Sequence, residues 1–375
     1  MPDPGLVQLA ILGLALSSVV ISAVAIRRDA PLDWRFAAIA PLPTGAQPRF
    51  ETVFDHTVDT GQAHAPAIVL RENGFGLVWF TGSAEAQPGV DIHGVDVTRQ
   101  ADGWDVTDPA PVVTCRDLAR AFAPRQLVVT LGNTIENQGR SGGLYVTAVS
   151  VGGWAMAAIA DVTMGGQGGP HHARKLNLSP LLNRSFLVKS PMIAYADGSH
   201  GLPAYFEMGP TYGALVRFDT QGRVRDQRRM RGLGAKVIQP MIVPLDATRA
   251  VALLRDFDHS GVLWLSRTED GGRTWSTATR TDRPNPGAPV AALSLGDGRL
   301  LMAANDDPAA PNDLVLSLSR DSGETWRALH RFTGDGALRY PMLRQVGDDL
   351  VLAYSTGGKR GITAHVFNAA WISVQ

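Results

Sequence analysis

Two octapeptides in the 375-residue chain share the pattern Ser/Thr-x-Asp-x-Gly-x-Thr-Trp: TEDGGRTW at 268–275 and SRDSGETW at 319–326. Their tryptophans, Trp275 and Trp326, stand 51 residues apart. A repeat of about 50 residues is the length of one four-stranded blade in a radial β architecture. Each copy has the chemistry of a hairpin tip. Asp270 or Asp321 can accept hydrogen bonds from turn N–H groups, and Gly272 or Gly323 can adopt the positive φ that such a turn demands. The Trp then has an apolar layer to pack into.

A second, looser repeat marks where blades begin. It consists of a proline, an apolar run, a turn and a second apolar run, and it places Pro66, Pro191, Pro240, Pro289 and Pro341 at equivalent positions. Between the first two, LGNTIENQGRSGGLYVTAVSVGGWAMAAI keeps the rhythm with Asn133 in the lead. Six starts predict six blades, hence an all-β, six-bladed β-propeller over residues 50–375. Proline is expected at the first residue of each inner strand, where no ladder N–H is needed. Closing the ring protects edges that an open sheet would expose.

Ahead of this domain, residues 1–28 form a hydrophobic segment and 29–49 a Pro/Ala-rich linker without sustained periodicity. Residues 5–26 carry no charge, and 22 residues of helix span roughly 30 Å, enough to cross a membrane once. A cleaved signal peptide is the competing reading, because Ala23-Val24-Ala25 has the small-x-small form of a cleavage site. The length and the absence of Lys or Arg in the leading MPDP favour an anchor. Arg27 and Arg28 would hold the following domain in the cytoplasm by the positive-inside rule.

Lys plus Arg equal Asp plus Glu, at 35 each, with no block of like charge, so the footprint of a nucleic-acid partner is missing. The single cysteine, Cys115, excludes an internal disulfide and a multi-cysteine zinc site. His171 and His172 lie in a glycine-rich loop with no third ligand at readable spacing, and no metal or cofactor site is expected.

The paired octapeptides, the six starts, and the segments LGN at 131–133, SVGGW at 150–154, PAYFE at 203–207, RPNP at 283–286 and AAND at 303–306 resemble the sialidase (neuraminidase, BNR-repeat) superfamily in its bacterial branch. The octapeptides are that family's Asp boxes, which the resemblance makes structural and remote from the active centre. It also implies an extracytoplasmic propeller, against the positive-inside clue, with a glycan as its partner.

The resemblance turns attention to the residues just before each blade-leading proline and to the ends of second strands. Sialidases hold a substrate carboxylate with arginines, whose fork lysine cannot copy, and use a Tyr nucleophile activated by a carboxylate. Arg255, ending the apolar run AVALL, falls on one of three such arginines, and Tyr340 on the nucleophile. The alternative for Arg255 is a surface pair with Asp256 or Asp258; for Tyr340 it is aromatic packing. The other two arginine positions hold His64 and, near blade five, Asn312. The carboxylate partner of the tyrosine falls on Gln239, which cannot take a proton. Glu207, at the end of PAYFE, can substitute if it points inward. The blade-one loop offers Glu85 and Asp91 as the acid, and Asn133, Asn285, Asn305 and Asp306 flank the same expected mouth for sugar hydroxyls.

Three activities fit. The first is an exo-acting glycoside hydrolase on an anionic glycan. The second is a uronate lyase using His64, Tyr340 and Arg255. The third is a membrane-tethered propeller that binds glycans without turnover.

Overall fold

The computed structural model describes residues 4–28, 31–43, 46–166, 168–179, 183–258 and 260–375. One helix, α1 (Pro4–Arg28), is long and apolar enough over Gly5–Val24 to cross a membrane. It is of the kind found in signal sequences and single-span anchors. The remainder is almost wholly strand.

Six antiparallel sheets of four or five strands follow one another along the chain. Their inner strands are Gln62–Arg71, Thr130–Asn137, Phe186–Val188, Val237–Pro244, Ala291–Gly296 and Arg339–Val346 for blades one to six. Inner strands of successive blades are neighbours, except that the inner strand of blade four meets the second and third strands of blade three, and the first inner strand also touches the last, so the sheets close into a six-bladed propeller. Blade six takes three strands from the C-terminal part of the chain and its fourth from the front: Phe50–Thr57 pairs with Gly361–Phe367. Buried Leu, Val, Ala and Ile from facing sheets fill the spaces between blades.

The prolines are placed differently from expectation in three blades. Pro66, Pro240 and Pro341 lie inside their inner strands, at bulges between His64 and Ala67, Ile238 and Met241, and Arg339 and Met342. A bulge leaves a residue out of the ladder, so a missing N–H is tolerated there as well as at a strand start. The preceding residues, Ala65, Gln239 and Tyr340, have φ of 55°, 52° and 56°. Such a left-handed backbone in a non-glycine residue is strained and persists where surrounding structure enforces it. Pro191 falls between the short strands Phe186–Val188 and Ile193–Ala194, and Pro289 just ahead of blade five's inner strand.

Both Asp boxes form the expected tips between third and fourth strands. Asp270 accepts from the Thr274 N–H at 2.8 Å and its hydroxyl at 2.6 Å; Asp321 does the same with Thr325 at 2.9 and 2.5 Å. Those hydrogen bonds hold the Asp321 carboxyl down at about 2. Part of the Pro/Ala-rich stretch packs on the propeller. Phe36 is buried, its N–H donates to the Ala247 carbonyl at 2.8 Å, and the Ala37 N–H donates to Ala194 at 3.0 Å. Trp34 lies against Tyr195 and Arg217, and its carbonyl covers Gly271 in the blade-four Asp box.

Candidate active site

An inner strand starts at one face of the ring, and the loop between second and third strands returns to that face. The Asp boxes, between third and fourth strands, occupy the opposite face. Residues from these starts and loops meet around a cavity of about 170 Å³. Asn133, Leu187, Gln239 and Tyr340 come from inner strands of blades two, three, four and six. Glu85, Trp154, Glu207, Arg255 and Phe257 come from the ends of second strands or the loops after them, with Tyr205 one step inside its strand.

The hydroxyl of Tyr205 is the hub of the polar wall. It accepts from Gln239 Nε2 at 3.1 Å and Asn133 Nδ2 at 3.4 Å, while Gln239 Nε2 also reaches the Tyr340 hydroxyl at 3.5 Å. Burial pushes the Tyr205 phenol well above its ordinary range, so it stays a neutral hydroxyl. Burial also raises the Glu207 carboxyl; Arg255 opposes the rise and Glu85 adds to it. Glu85 is ion-paired with Lys359 at 2.5 Å. Among the described residues Arg255 has no ion pair with Asp256 or Asp258, and its buried Nε has no hydrogen-bond partner. Asp258 is taken by Lys236 at 3.0 Å. The Oε1 of Gln239 is likewise buried without a partner. Hydrogen-bonding capacity left unfilled inside a pocket wall is what a polar ligand satisfies.

His64 stands beside this cavity rather than in its lining. Its ring meets Tyr340 edge-on at 4.5 Å and Phe80 at 5.3 Å between centroids. Neither ring nitrogen has a hydrogen-bond partner among the described residues, and burial, with Lys359 adding to it, lowers its pKa to about 3. It is a neutral imidazole packed behind the tyrosine.

The structure does not bring the other expected residues to this cavity. Asp91 accepts from the Cys115 N–H at 2.7 Å, anchoring the start of α2 (Cys115–Ala121), and faces a separate cavity of about 450 Å³ shared with His93. Asn285 closes its own turn through both the N–H and the carbonyl of Ala288. Asn305 is fully buried and donates to the carbonyls of Asp313 and Leu338, which ties blade five to blade six. Asp306 pairs with Arg283 in a cavity of about 530 Å³ that also holds Trp326 of the second Asp box. Asn and Asp at strand ends served turns and inter-blade ties, the ordinary use of their short polar side chains. A larger cavity, about 740 Å³ beside blade six, holds none of the expected residues.

Sequence reasoning missed Tyr205 and Trp154. Tyr205 is two residues before Glu207, which directly follows the strand His200–Phe206, so an inward Glu207 carries Tyr205 inward by the alternation of side chains. Trp154 lay in the quoted SVGGW segment, and its ring packs on Gly132, where a Cβ would lie 2.7 Å from it.

A family model for the BNR repeat-like domain matches residues 74–352, most of the chain. The chain belongs to the BNR repeat-like family. Among curated proteins no sequence match is found. Solved structures with the same fold include a protein of unknown function from Dyadobacter fermentans, with a TM-score of 0.63 at 14% identity over 85% of this chain and 99% of that one. A Hadza microbial sialidase gives 0.64 at 15% identity, covering 82% of this chain and 66% of the sialidase. Trypanosoma rangeli sialidase in complex with the inhibitor DANA gives 0.61 at 10% identity, covering 84% and 56%. This member of the family therefore has the sialidase-type propeller and spans two thirds or less of those two sialidases.

Proposed function

We propose that the propeller is a glycoside hydrolase acting on a terminal sugar that bears a carboxylate. The observation that carries this reading is Arg255: a guanidinium at the cavity wall with no ion pair among the described residues and a buried Nε without a hydrogen-bond partner, in a site that also holds Glu207, Glu85 and Tyr340. A substrate carboxylate is the natural occupant of such a fork. Tyr340 is the nucleophile in this scheme. Gln239 donates to its oxygen, which favours the developing phenolate but cannot remove the proton. That task falls to Glu207, whose raised carboxyl is a stronger base than an exposed glutamate. Glu85, on the blade-one loop, is paired as a carboxylate with the Lys359 ammonium, and in this scheme it relays the Lys359 proton to the leaving group, which leaves Lys359 as a neutral amine. Trp154 supplies an aromatic face for the sugar ring.

The low basicity of His64 weighs against elimination, since an imidazole near pKa 3 is a poor acceptor for a sugar C–H proton. Gln239 favours a second reading, in which the cavity binds glycans without turnover, because the side chain that reaches the Tyr340 hydroxyl is an amide and not a carboxylate.

The test is a panel of fluorogenic glycosides, including a sialoside, a glucuronide and neutral hexosides, offered to the full chain. Release from an anionic sugar, lost in Arg255→Met and Tyr340→Phe, supports hydrolysis. Binding of the same sugars without release supports the second reading. Folded protein that neither cleaves nor binds any of them sinks both.

A further inference from the structure

A buried lysine stands where blades three, five and six approach one another. Lys189 follows the inner strand of blade three, two residues beyond Leu187 of the cavity wall. Its Nζ donates to the carbonyl of Val290 in blade five at 2.9 Å and to that of Pro341 in blade six at 2.6 Å. Three blades are thus joined by one amine, although no carboxylate within ion-pair distance neutralises it among the described residues.

A charged group is rarely buried without an acid partner, because desolvation opposes it. Pro341 is the residue after Tyr340, and Tyr340 is held at a φ of 56°. We infer that Lys189 is a positioning residue for Tyr340: it pulls on the Pro341 carbonyl and so fixes the bulge that presents the phenol to the cavity. The inference rests on the reading of that cavity as the active site, but its geometry does not depend on which sugar is bound.

The amine also has an electrostatic role. Burial lowers Lys189 to about 7, and Arg255 pushes in the same direction. The groups around the neighbouring cavity are Arg255 on blade four, Glu207 on blade three, Glu85 with Lys359, and His64 behind Tyr340. Proton loss from Lys189 as pH rises through neutrality weakens its hold on the two carbonyls, and the Tyr340 bulge relaxes with it.

Tyrosine labelled with carbon-13 in the ring gives NMR signals for only six residues in the full chain, and Tyr340→Phe assigns the one that matters. The wild-type Tyr340 signal is expected to move with an inflection near pH 7, while Tyr145 and Tyr212 stay still. Lys189→Met should displace the Tyr340 signal and abolish the inflection. Lys189→Arg, which keeps charge and donors at all pH values, should hold the signal near its acid-side wild-type position. A wild-type Tyr340 signal that is flat from about pH 6 to 8 overturns the inference, and this arm needs no variant to fold. An inflection that survives Lys189→Met belongs to Glu207 or another cavity carboxyl and overturns it too. None of these readouts requires turnover, so failure of the hydrolase reading leaves them informative.

Discussion

The two Asp boxes differ at their fourth position in a way explained by the strap of residues 34–37 that packs on blades three and four. Blade four has Gly271 where blade five has Ser322, although both residues are left-handed, at φ 75° and 62°. A Cβ on Gly271 would lie 1.5 Å from the Trp34 carbonyl oxygen, whereas the Ser322 backbone N–H donates to Gly298 at 2.8 Å and its Cβ is accommodated. Gly271→Ser therefore has to expel the strap. Lost with it are the burial of Phe36, worth about 2 kcal/mol, three backbone hydrogen bonds at about 1 kcal/mol each, and the Arg217–Trp34 contact at about 0.5–1 kcal/mol. Freeing about four residues returns roughly 4 kcal/mol of backbone entropy, and the left-handed serine costs about 1 kcal/mol. The net destabilisation is about 3 kcal/mol. At an unfolding entropy of about 2.1 cal/mol/K per residue, this lowers Tm by about 4 °C for a propeller of this size. Ser322→Gly, the reciprocal change, should leave Tm within about 1 °C. Trypsin gives a direct view, because the Arg35 carbonyl is held by the Ala196 N–H at 2.8 Å and cleavage after Arg35 requires that bond to break. Rapid cutting at Arg35 in Gly271→Ser, and not in Ser322→Gly, is the expected pattern. A Gly271→Ser protein that melts with the wild type and resists trypsin at Arg35 refutes the reasoning.

Three further outcomes follow from the site. Arg255→Met should cost at least tenfold in affinity for glucuronate or N-acetylneuraminate, measured by calorimetry, with little change for a neutral hexose, since the guanidinium is the fork for the carboxylate. Gln239→Glu should raise turnover of an anionic glycoside by placing a proton acceptor 3–4 Å from the phenol, at a cost of about 1–3 kcal/mol in stability for the buried acid. If turnover falls while the fold is kept, Tyr340 is not the nucleophile. His64 binds its proton near pH 3 when folded and near 6.5 when unfolded, so the unfolded state takes up more protons between those values and stability falls as pH drops through that window. His64→Phe should flatten the acid limb of a urea-denaturation series between pH 6.5 and 4 by roughly 2–3 kcal/mol; an unchanged limb excludes His64 as its source.

The blade count was legible because a propeller repeats its turn chemistry: the two octapeptides set the period, and the prolines extended it to blades whose tips lack the motif. What the prolines do inside a strand was not legible, since bulge and strand start both dispense with an N–H. The cavity was found where the residue types were scarce in ordinary roles, as with Arg255 at the end of an apolar strand and Tyr340 before a proline. Asn285, Asn305 and Asp306 were misplaced for the opposite reason, because turns and inter-blade ties use the same side chains as sugar binding. Lys189 stands two residues before Pro191, where His64 stands relative to Pro66, and extending the comparison of blade starts to that position would have exposed it.

The pairing of Phe50–Thr57 with Gly361–Phe367 sets the order of events when the chain is made. The hydrogen bond between Asp55 and Thr363 joins residues separated by 308 positions. During synthesis the first strand therefore waits, unpaired, until the last blade has left the ribosome, and five blades can assemble before the ring has any means of closing. Closure is a late, long-range step, and the exposed edges that precede it are the interval in which a chaperone or a neighbouring nascent chain competes for the same strand.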